Sequence, residues 1–263
     1  MINLDCLRDI CRIYYKYSDD NMVNSYRERL LKFKIVKRRK STISILMKTD
    51  EGFKLKQMPI LKPKLEILDN YNPDFPDVHN QIKKRLNKKN DKGILLLHGK
   101  PGTGKTTYLR YLINSIKKNI IFFPPNLASQ IVQPDFVQFL ISNPNTILVI
   151  EDAENIITNR ENSGTSAVSS LLNISDGLLS DFLNIQVICS FNTEITNIDK
   201  ALVRKGRLIA NYEFKDLEIE KAKKLSERLG LEIQIDRPMS VSEIYNLKER
   251  DFNKPHEVKK IGF

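Results

Sequence analysis

The chain carries one stretch that decides its fold, residues 94–106, with the sequence ILLLHGKPGTGKT. Four apolar residues typical of a buried strand lead into a turn rich in glycine and proline, and an amphipathic helical pattern follows that turn. The spacing Gly99-x-x-x-x-Gly104-Lys105-Thr106 meets the full phosphate-loop pattern. We therefore predict a strand, a phosphate-binding loop and a helix, in that order.

The residue types in this loop suit a polyphosphate ligand. Gly102 and Gly104 allow backbone N–H groups to turn toward phosphate oxygens, where a side chain would obstruct them. The helix that starts there adds the positive end of its dipole. Lys105 can bridge the β- and γ-phosphates, and the Thr106 hydroxyl can hold Mg²⁺. An ordinary glycine-rich turn is the alternative, but the flanking strand and helix favour binding of a nucleoside triphosphate.

Composition limits the class of protein. A chain of 263 residues with 41% apolar content is long enough for one α/β domain with small additions. No run of 18 or more apolar residues occurs, so we expect no membrane-spanning helix. The N-terminus lacks the residue order of a secretory signal. Cys6, Cys11 and Cys189 form neither a metal pattern nor an even disulfide set, so we expect a reducing, cytoplasmic location.

The net charge of +11 is unevenly distributed. Residues 1–92 hold 22 Lys and Arg against 12 Asp and Glu, and basic runs lie at 32–40 and 83–89. A basic surface attracts nucleic acid or an anionic membrane, whereas most charge runs are solvated faces or oligomer contacts. Nucleic-acid binding through the basic N-terminal part is therefore kept as an alternative partner.

The first 66 residues resemble a small α+β module without a chemical motif. Apolar residues recur there at helical spacing: Leu4, Leu7, Ile10, Cys11 and Tyr14. A second, weaker helical pattern covers about 21–33. Alternating apolar residues on both sides of 50–52, Asp-Glu-Gly, predict a β-hairpin.

Acidic residues follow a second buried-type strand. Residues 146–150, TILVI, lead into Glu151 and Asp152, which is the Walker B pattern. In an open parallel sheet this strand end lies beside the phosphate loop, so the acids can reach Mg²⁺ and the attacking water. A third apolar strand, 185–190, is followed closely by Asn192. We expect Asn192 to lie between the other two strand ends, where it can orient the water or touch the γ-phosphate.

Two further segments complete an ordered set of motifs, LLNISDG at 171–177 and IDKALVRKGR at 198–207. Together the five motifs, over about residues 70–214, resemble the AAA clade of the AAA+ ATPases. The resemblance implies an α/β P-loop NTPase fold, with a parallel sheet flanked by helices. It implies ATP and Mg²⁺ as ligands, ATP hydrolysis, and a ring, expected to be a hexamer, that remodels or translocates a macromolecular partner. It divides the chain into a basic N-terminal module (1–66), a nucleotide-binding domain (67–214) and a small helical lid (215–263).

The resemblance also implies a role for individual residues. The nucleotide-binding residues are those of the Walker A loop: Gly99, Lys100, Pro101, Gly102, Thr103, Gly104, Lys105, Thr106 and Thr107. The metal-binding candidates are Thr106, Glu151 and Asp152. Asp152 is the base that polarises water, and Asn192 is sensor 1. Arg204 and Arg207 match the arginine fingers, which in this family enter the neighbouring subunit's site and stabilise charge on the γ-phosphoryl oxygens.

The acidic pair departs from the usual family order. It reads Glu151 then Asp152, an order similar to that of the mitochondrial AAA translocase that moves a folded iron–sulfur protein. On this register Glu151 holds Mg²⁺, and the shorter Asp152 must reach the water, so slow hydrolysis or a non-hydrolysing switch or scaffold is an alternative. In a second register, which fits the strand less well, Asp152 holds the metal and Glu154 is the base.

Two more departures concern the fingers and the pore. The span from Asn192 to Arg207 is one residue longer than usual, so Arg207, which follows Gly206 at a turn, is the favoured finger. Residues 124–129 lack the aromatic–apolar–Gly pattern of a threading pore loop, which argues against peptide threading. No sensor 2 arginine can be assigned, with Arg228 and Arg250 as candidates. His98 is expected to be structural.

Overall fold

The computed structural model describes residues 2–5, 10–14, 20–32, 42–154, 179–192, 206–231 and 233–247, together with residues 170, 174 and 177. The chain separates into two compact units, Met1–Lys40 and Ser41–Phe263. Most of the motif at 171–177 lies outside the described residues, as do 193–205 and therefore Arg204.

The first unit contains a short hairpin and a helix. β1 (Ile2–Asp5) pairs antiparallel with β2 (Ile10–Ile13), and α1 spans Asp20–Lys32. The helical spacing of the apolar residues between positions 4 and 14 predicted a helix, and that prediction is wrong. In such short segments Ile2, Ile10 and Ile13, which are β-branched, favour an extended pair. The helix predicted over about 21–33 is confirmed as α1.

The second unit is built on a seven-stranded sheet. Its strands are β3 (Thr42–Thr49), β4 (Gly52–Pro59), β5 (Gly93–Gly99), β6 (Ile120–Phe122), β7 (Ile147–Ile150), β8 (Gln186–Phe191) and β9 (Leu208–Phe214). The spatial order is β4-β3-β6-β7-β8-β5-β9, and every neighbouring pair is parallel except β3 with β4. The predicted α/β fold with a parallel sheet is confirmed.

Helices flank this sheet or follow it in the chain. They are α2 (Ile67–Asn70), α3 (Phe75–Asn87), α4 (Lys105–Ser115), α5 (Pro134–Ile141), α6 (Ser180–Leu183), α7 (Ile219–Arg228) and α8 (Val241–Tyr245), with a 3-10 helix over Pro125–Gln130. Pro134 separates α5 from the 3-10 helix, as its fixed φ and missing N–H predict. Among the described residues, no helix combines the length and apolar composition required to cross a bilayer.

The predicted hairpin is confirmed, but it belongs to the main sheet. The two-residue turn at 50–51 joins β3 and β4, and β3 pairs in parallel with β6, with Ser44 opposite Ile121. Leu46 is fully buried in the same apolar cluster as Ile121. Burial of Leu46 requires β3 to add to the edge of the sheet, so the hairpin packs as part of it.

Two apolar clusters lie on opposite faces of the sheet. Ile94 and Leu96 of β5 belong to one cluster, and Leu95 and Leu97 belong to the other. Successive side chains of a strand point to opposite faces, so a strand covered on both sides is a continuous apolar run. Each fully buried side chain of this kind contributes about 1.5–3 kcal/mol. This packing holds the strand ends that carry the polar residues.

The C-terminal part forms a third apolar cluster of its own. Its buried members are Leu217, Ala222, Leu225, Leu231, Ile235, Met239 and Ile244. Gly230, with φ of 65°, follows the C-cap residue Leu229 at the end of α7. α8 begins at a capping box, because the Ser240 hydroxyl accepts from Glu243 N–H and the Glu243 carboxylate accepts from Ser240 N–H. This cap places the start of α8 at Val241.

Candidate active site

Three neighbouring parallel strands end at one edge of the sheet, and a predicted site residue follows each. β5 leads into the phosphate loop, β7 into Glu151 and Asp152, and β8 into Asn192. β8 lies between β5 and β7, which agrees with the predicted position of Asn192. A cleft of about 560 Å³ lies at this edge and is lined by the loop, Asp152, Asn192 and residues of α8. The carboxyl ends of parallel strands are the usual place for a ligand site.

The loop between β5 and α4 has a backbone conformation that requires glycine at two positions. Gly102 and Gly104 have φ of 82° and 93°, a region in which residues with a Cβ are strained. A Cβ on Gly102 would lie 3.2 Å from Ser242 Cβ, and one on Gly104 would lie 3.2 Å from the Tyr71 ring. Glycine therefore keeps a backbone-lined cradle free of side chains, and such a cradle fits phosphate oxygens.

Lys105 turns back onto this loop. Its Nζ donates to the carbonyl oxygens of Gly99 at 2.6 Å and Lys100 at 2.7 Å, and the side chain is buried. Burial lowers the pKa of the Lys105 ammonium, and the carboxylates of Glu154 and Asp152 oppose that change. A positive charge held in a low-dielectric loop attracts an anionic oxygen more strongly than the same charge in water.

Thr106 and Glu151 meet across the edge of the sheet. Both residues line one small cavity. The Thr106 side chain lowers the pKa of the Glu151 carboxyl, but burial is the larger effect and raises it. Hydroxyl and carboxylate oxygens are the ligands that Mg²⁺ prefers, usually with several waters and substrate phosphates. The described residues contain no group of three or more His, Cys, Asp or Glu side chains able to hold a metal. This sparse oxygen pair therefore fits Mg²⁺ better than a soft transition metal.

The β3 strand contributes to the burial of Glu151. A small cavity of about 150 Å³ behind the Thr106–Glu151 pair is lined by Ile43 and Ile45 of β3 and by Leu109 of α4. An apolar wall on this side removes water from the carboxylate, which disfavours its charged form. The hairpin is thus part of the site's environment.

Asp152, Glu154 and Asn192 form a second polar group beside the first. Asn192 Nδ2 donates to Asp152 Oδ1 at 3.3 Å, and the Asn192 backbone N–H donates to Glu154 Oε1 at 2.5 Å. Asp152 adopts φ of 51°, a left-handed conformation that short Asp side chains tolerate better than most. The structure thus brings Asp152 and Asn192 into contact at the rim of the cleft, while Glu154 is occupied by the Asn192 backbone.

Arg207 lies at the end of the strands that is opposite to the phosphate loop. It precedes β9, and its carbonyl oxygen accepts from Ile94 N–H at the start of β5 at 2.8 Å. β5 and β9 are parallel, so Arg207 is at their amino ends and the phosphate loop is at their carboxyl ends. The structure does not bring Arg207 to the site of its own chain.

Comparison with known proteins assigns this arrangement of motifs to a family. Residues 95–216 match the ATPase family associated with various cellular activities, AAA. These residues form an AAA ATPase domain. The matched range begins inside β5 and includes both acids, Asn192 and Arg207.

Relatives of the AAA domain come from different organisms. A probable mitochondrial chaperone bcs1 of Schizosaccharomyces pombe is 34% identical over 121 residues, covering 43% of this chain and 26% of the relative. An AAA-ATPase of Arabidopsis thaliana is 32% identical over 139 residues, or 48% and 27% of the two chains. A 26S proteasome regulatory subunit 6B homolog of Encephalitozoon cuniculi is 32% identical over 137 residues, or 46% and 34%. The chain spans about a quarter to a third of the length of these relatives.

Contacts from outside the predicted motifs hold the Walker A loop of the AAA domain. Tyr71 is buried, and its hydroxyl donates to the Gly104 carbonyl at 3.0 Å. From the lid, Ser242 N–H donates to the Gly102 carbonyl at 2.9 Å. Sequence reasoning missed these residues, because neither Tyr71 nor Ser242 belongs to one of the five motifs. The one available signal was the Ser-x-x-Glu capping box that begins α8.

Of the remaining basic and histidine candidates, Arg228 and His98 are described by the structure, and neither lines the cleft. Arg228 forms an ion pair with Asp69, and Arg250 lies outside the described residues. His98 is buried and stacked on Phe191 with ring centroids 5.4 Å apart, and burial lowers its pKa. Within the described part of the chain, His98 Nδ1 has no hydrogen-bond partner. A neutral ring packed against Phe191 is consistent with the structural role expected of His98.

Proposed function

We propose that this protein is a Mg²⁺-dependent ATPase that works as a ring and remodels or translocates a macromolecular partner. The observation that carries the proposal is the placement of Thr106 and Glu151 on one small cavity beside the Walker A loop, with the Asp152–Asn192 contact next to it. Metal-binding oxygens and a polar group for the attacking water thus lie on adjacent strand ends, at the place where the loop would hold phosphates. The AAA family supports adenine nucleotide as the ligand.

Phosphate binding is assigned to the Walker A loop, Gly99 to Thr107. Its backbone N–H groups supply donors, and the N-terminus of α4 favours negative charge. In the structure the Lys105 ammonium rests on two loop carbonyls. We expect it to direct a remaining donor to the β- and γ-phosphates, since an ammonium has three donors.

Mg²⁺ would be held by Thr106 and Glu151, with Asp152 near enough in sequence to contribute. When bound, it neutralises charge on the phosphate oxygens. Glu151 must be ionised to act as a ligand, so its raised pKa is a cost that a bound cation would remove.

Asp152 is assigned as the base and Asn192 as the residue that positions the water. The side-chain contact between them supports this register, because the amide can hold the carboxylate in one orientation. The second register, with Asp152 on the metal and Glu154 as base, has less support because Glu154 already accepts the Asn192 N–H. The inverted order of Glu151 and Asp152 favours one further candidate: a nucleotide-dependent switch that binds ATP tightly and hydrolyses it slowly, because the shorter Asp152 must reach the water.

Arg207 is assigned a role in a neighbouring subunit, together with Arg204. Arg207 is at the amino ends of β5 and β9, so a γ-phosphate that it reaches must belong to another copy. This supports a ring, which we propose to be a hexamer. The loop after β6 contains a short 3-10 helix, Pro125–Gln130, whose six residues include neither an aromatic residue nor a glycine. We therefore propose that the partner is not threaded by an aromatic pore loop.

ATPase turnover per subunit, measured as a function of protein concentration, tests the proposal. We expect the rate to climb steeply with concentration, because each site is completed by a second subunit. Lys105→Ala should lose ATP affinity, and unchanged affinity in that variant would reject the assigned site. Tight ATP binding with no turnover at any concentration would leave the switch as the correct function.

A further inference from the structure

β4 is the last strand at one edge of the seven-stranded sheet. Among the described strands it pairs with β3 alone, along its whole length from Gly52 to Pro59. Most of its residues are exposed. An edge strand of this length presents a row of backbone groups that a further strand can use.

The hairpin register identifies which backbone groups face outward. Thr49 and Gly52 flank the two-residue turn and are paired, so they exchange both hydrogen bonds, as residues do next to such a turn. Hydrogen-bonded positions then alternate along the strand. Residues 52, 54, 56 and 58 therefore bond to β3, while Phe53, Leu55 and Gln57 direct their N–H and C=O groups away from the sheet. Pro59 carries no N–H, and it ends the row.

A groove runs along this free edge on one face. It has a volume of about 750 Å³ and lies between the hairpin and α5, with Phe53, Leu55 and Phe139 among its lining residues. Leu55 is 38% exposed, and the rings of Phe53 and Phe139 are 5.7 Å apart. Glu51, Asp135 and Lys48 also line the groove, and the Lys48 ammonium donates to the Asp135 carboxylate at 3.3 Å. Side chains entering this groove would therefore meet an apolar floor beside carboxylates that already carry ion pairs.

The other face of β4 is basic. Lys54, Lys56 and Met58 alternate with the outward-facing residues and are exposed. The Lys54 ammonium is paired with Glu51 at the turn. A second copy of β4 in antiparallel pairing would bring lysines together across the strands, which is unfavourable. The charge pattern thus favours a different strand, one with acidic side chains on this face.

We propose that an extended segment of a partner protein adds to β4 as a further strand of the sheet. Apolar residues of that segment point into the groove over Leu55 and Phe139, and alternate Asp or Glu residues face Lys54 and Lys56. Main-chain hydrogen bonds to Phe53, Leu55 and Gln57 supply affinity, and the two faces supply specificity. The assignment of this added strand to the remodelled partner rests on the proposed function. Strand addition itself requires no nucleotide.

Fluorescence anisotropy with a synthetic peptide tests this assignment without nucleotide. The probe is a fluorescein-labelled peptide of alternating Val and Glu, about eight residues long to match a typical strand. One control peptide has the same composition with Val and Glu in separate blocks, and a second has Lys in place of Glu. We expect the full chain to bind the alternating peptide at least about tenfold more tightly than either control. Equal binding of all three peptides, or no binding, overturns the proposal.

Gln57→Pro and Gln57→Ala form the matched pair of variants. Proline removes the outward N–H at an edge position where proline is tolerated, whereas alanine keeps it. We expect Gln57→Pro to weaken peptide binding about tenfold or more and Gln57→Ala to leave it within about twofold. Should Gln57→Pro lose the far-ultraviolet spectrum of the parent, Leu55→Glu replaces it, since a carboxylate in the groove opposes the apolar side chains. Undiminished binding in the folded variant contradicts strand addition.

Amide hydrogen exchange identifies the occupant of the edge. Addition of the alternating peptide should slow exchange at Phe53, Leu55 and Gln57 and leave Lys54 and Lys56, already bonded to β3, unchanged. Slow exchange at the three outward amides before any peptide is added means that a second copy or another part of this chain occupies the edge, and the proposal fails. ATP turnover without peptide binding rejects strand addition alone, and peptide binding without turnover rejects the ATPase assignment alone.

Discussion

The phenol of Tyr71 donates a hydrogen bond to the carbonyl oxygen of Gly104, 3.0 Å away, and so joins the segment before α3 to the Walker A loop. Burial raises the pKa of the Tyr71 hydroxyl, which keeps it a donor. The ring also packs on Phe75, with centroids 4.7 Å apart. A residue far from the motif in sequence thus supports the backbone at which α4 begins.

Separate substitutions at Tyr71 should distinguish its hydrogen bond from its packing. Tyr71→Phe keeps the ring, and Gly104 O still accepts from Tyr108 N–H, so we expect a loss of about 1 kcal/mol in the free energy of unfolding. Tyr71→Ala also leaves a cavity and should cost about 3–5 kcal/mol. Urea denaturation measures both values. A loss in Tyr71→Phe as large as that in Tyr71→Ala would contradict the packing role.

Gly99 and Gly206 allow a matched test of close backbone approach. Both have positive φ, 131° and 96°, but a Cβ on Gly99 would lie 2.1 Å from the Phe214 carbonyl oxygen, whereas one on Gly206 meets no described residue within 4 Å. Gly206→Ala should therefore cost only the conformational strain, about 1–2 kcal/mol. Gly99→Ala must also displace β9 from β5 and should cost more than about 4 kcal/mol. Equal stabilities of the two variants in denaturant titrations would show that the close approach of β9 to Gly99 adds nothing to the cost of the substitution.

Glu151→Gln should change the pH dependence of stability. The folded-state pKa of Glu151 is raised above its ordinary value of 4.5, chiefly by burial. Between these two values the folded state binds more protons than the unfolded state, so this group makes stability rise as pH falls through the raised pKa. At neutral pH its charge opposes folding. Glu151→Gln should therefore be more stable than the parent at neutral pH without Mg²⁺, and the difference should shrink on acidification.

Denaturant titrations from mildly acidic to neutral pH measure that difference. Glu227→Gln, on an exposed position of α7, is the matched control because its side chain is solvated. It removes one exposed carboxylate and so separates the effect of net charge from that of the site. A Glu151→Gln variant that is less stable than the parent at neutral pH would mean that the interaction with Thr106 outweighs desolvation.

Arg207→Ala and Lys105→Ala should complement each other when mixed. Each variant alone should lose most turnover, and loss of an arginine finger is worth about 10³–10⁵ in rate. A mixed ring contains sites with an intact loop from one chain and an intact Arg207 from the next, so mixing should restore measurable turnover. Lys224→Ala, which removes one positive charge from an exposed position of α7, is the control and should keep the turnover of the parent. No recovery on mixing would contradict a site shared between subunits.

Several expectations remain predictions. The domain boundaries at 66 and 214, the cytoplasmic location and nucleic-acid binding by the N-terminal part stay as such, and Arg204 lies outside the described residues. The mistaken helix at the N-terminus has a physical cause. Residues four positions apart, such as Leu7 and Cys11, share one side of a helix and also one face of a strand, so a segment of about ten residues does not distinguish the two periods.

The sequence by itself determined the chemistry at each strand end: the glycines of the loop, Lys105, Thr106, and the acids after β7. These are local properties, because φ preferences, periodicity and side-chain type act over a few residues. Only the tertiary structure decided that the hairpin extends the sheet, that Tyr71 and Ser242 hold the loop, and that Arg207 lies at the far edge. Such contacts depend on strand order and on which apolar faces bury each other, and residues distant in sequence carry no local pattern that reports them.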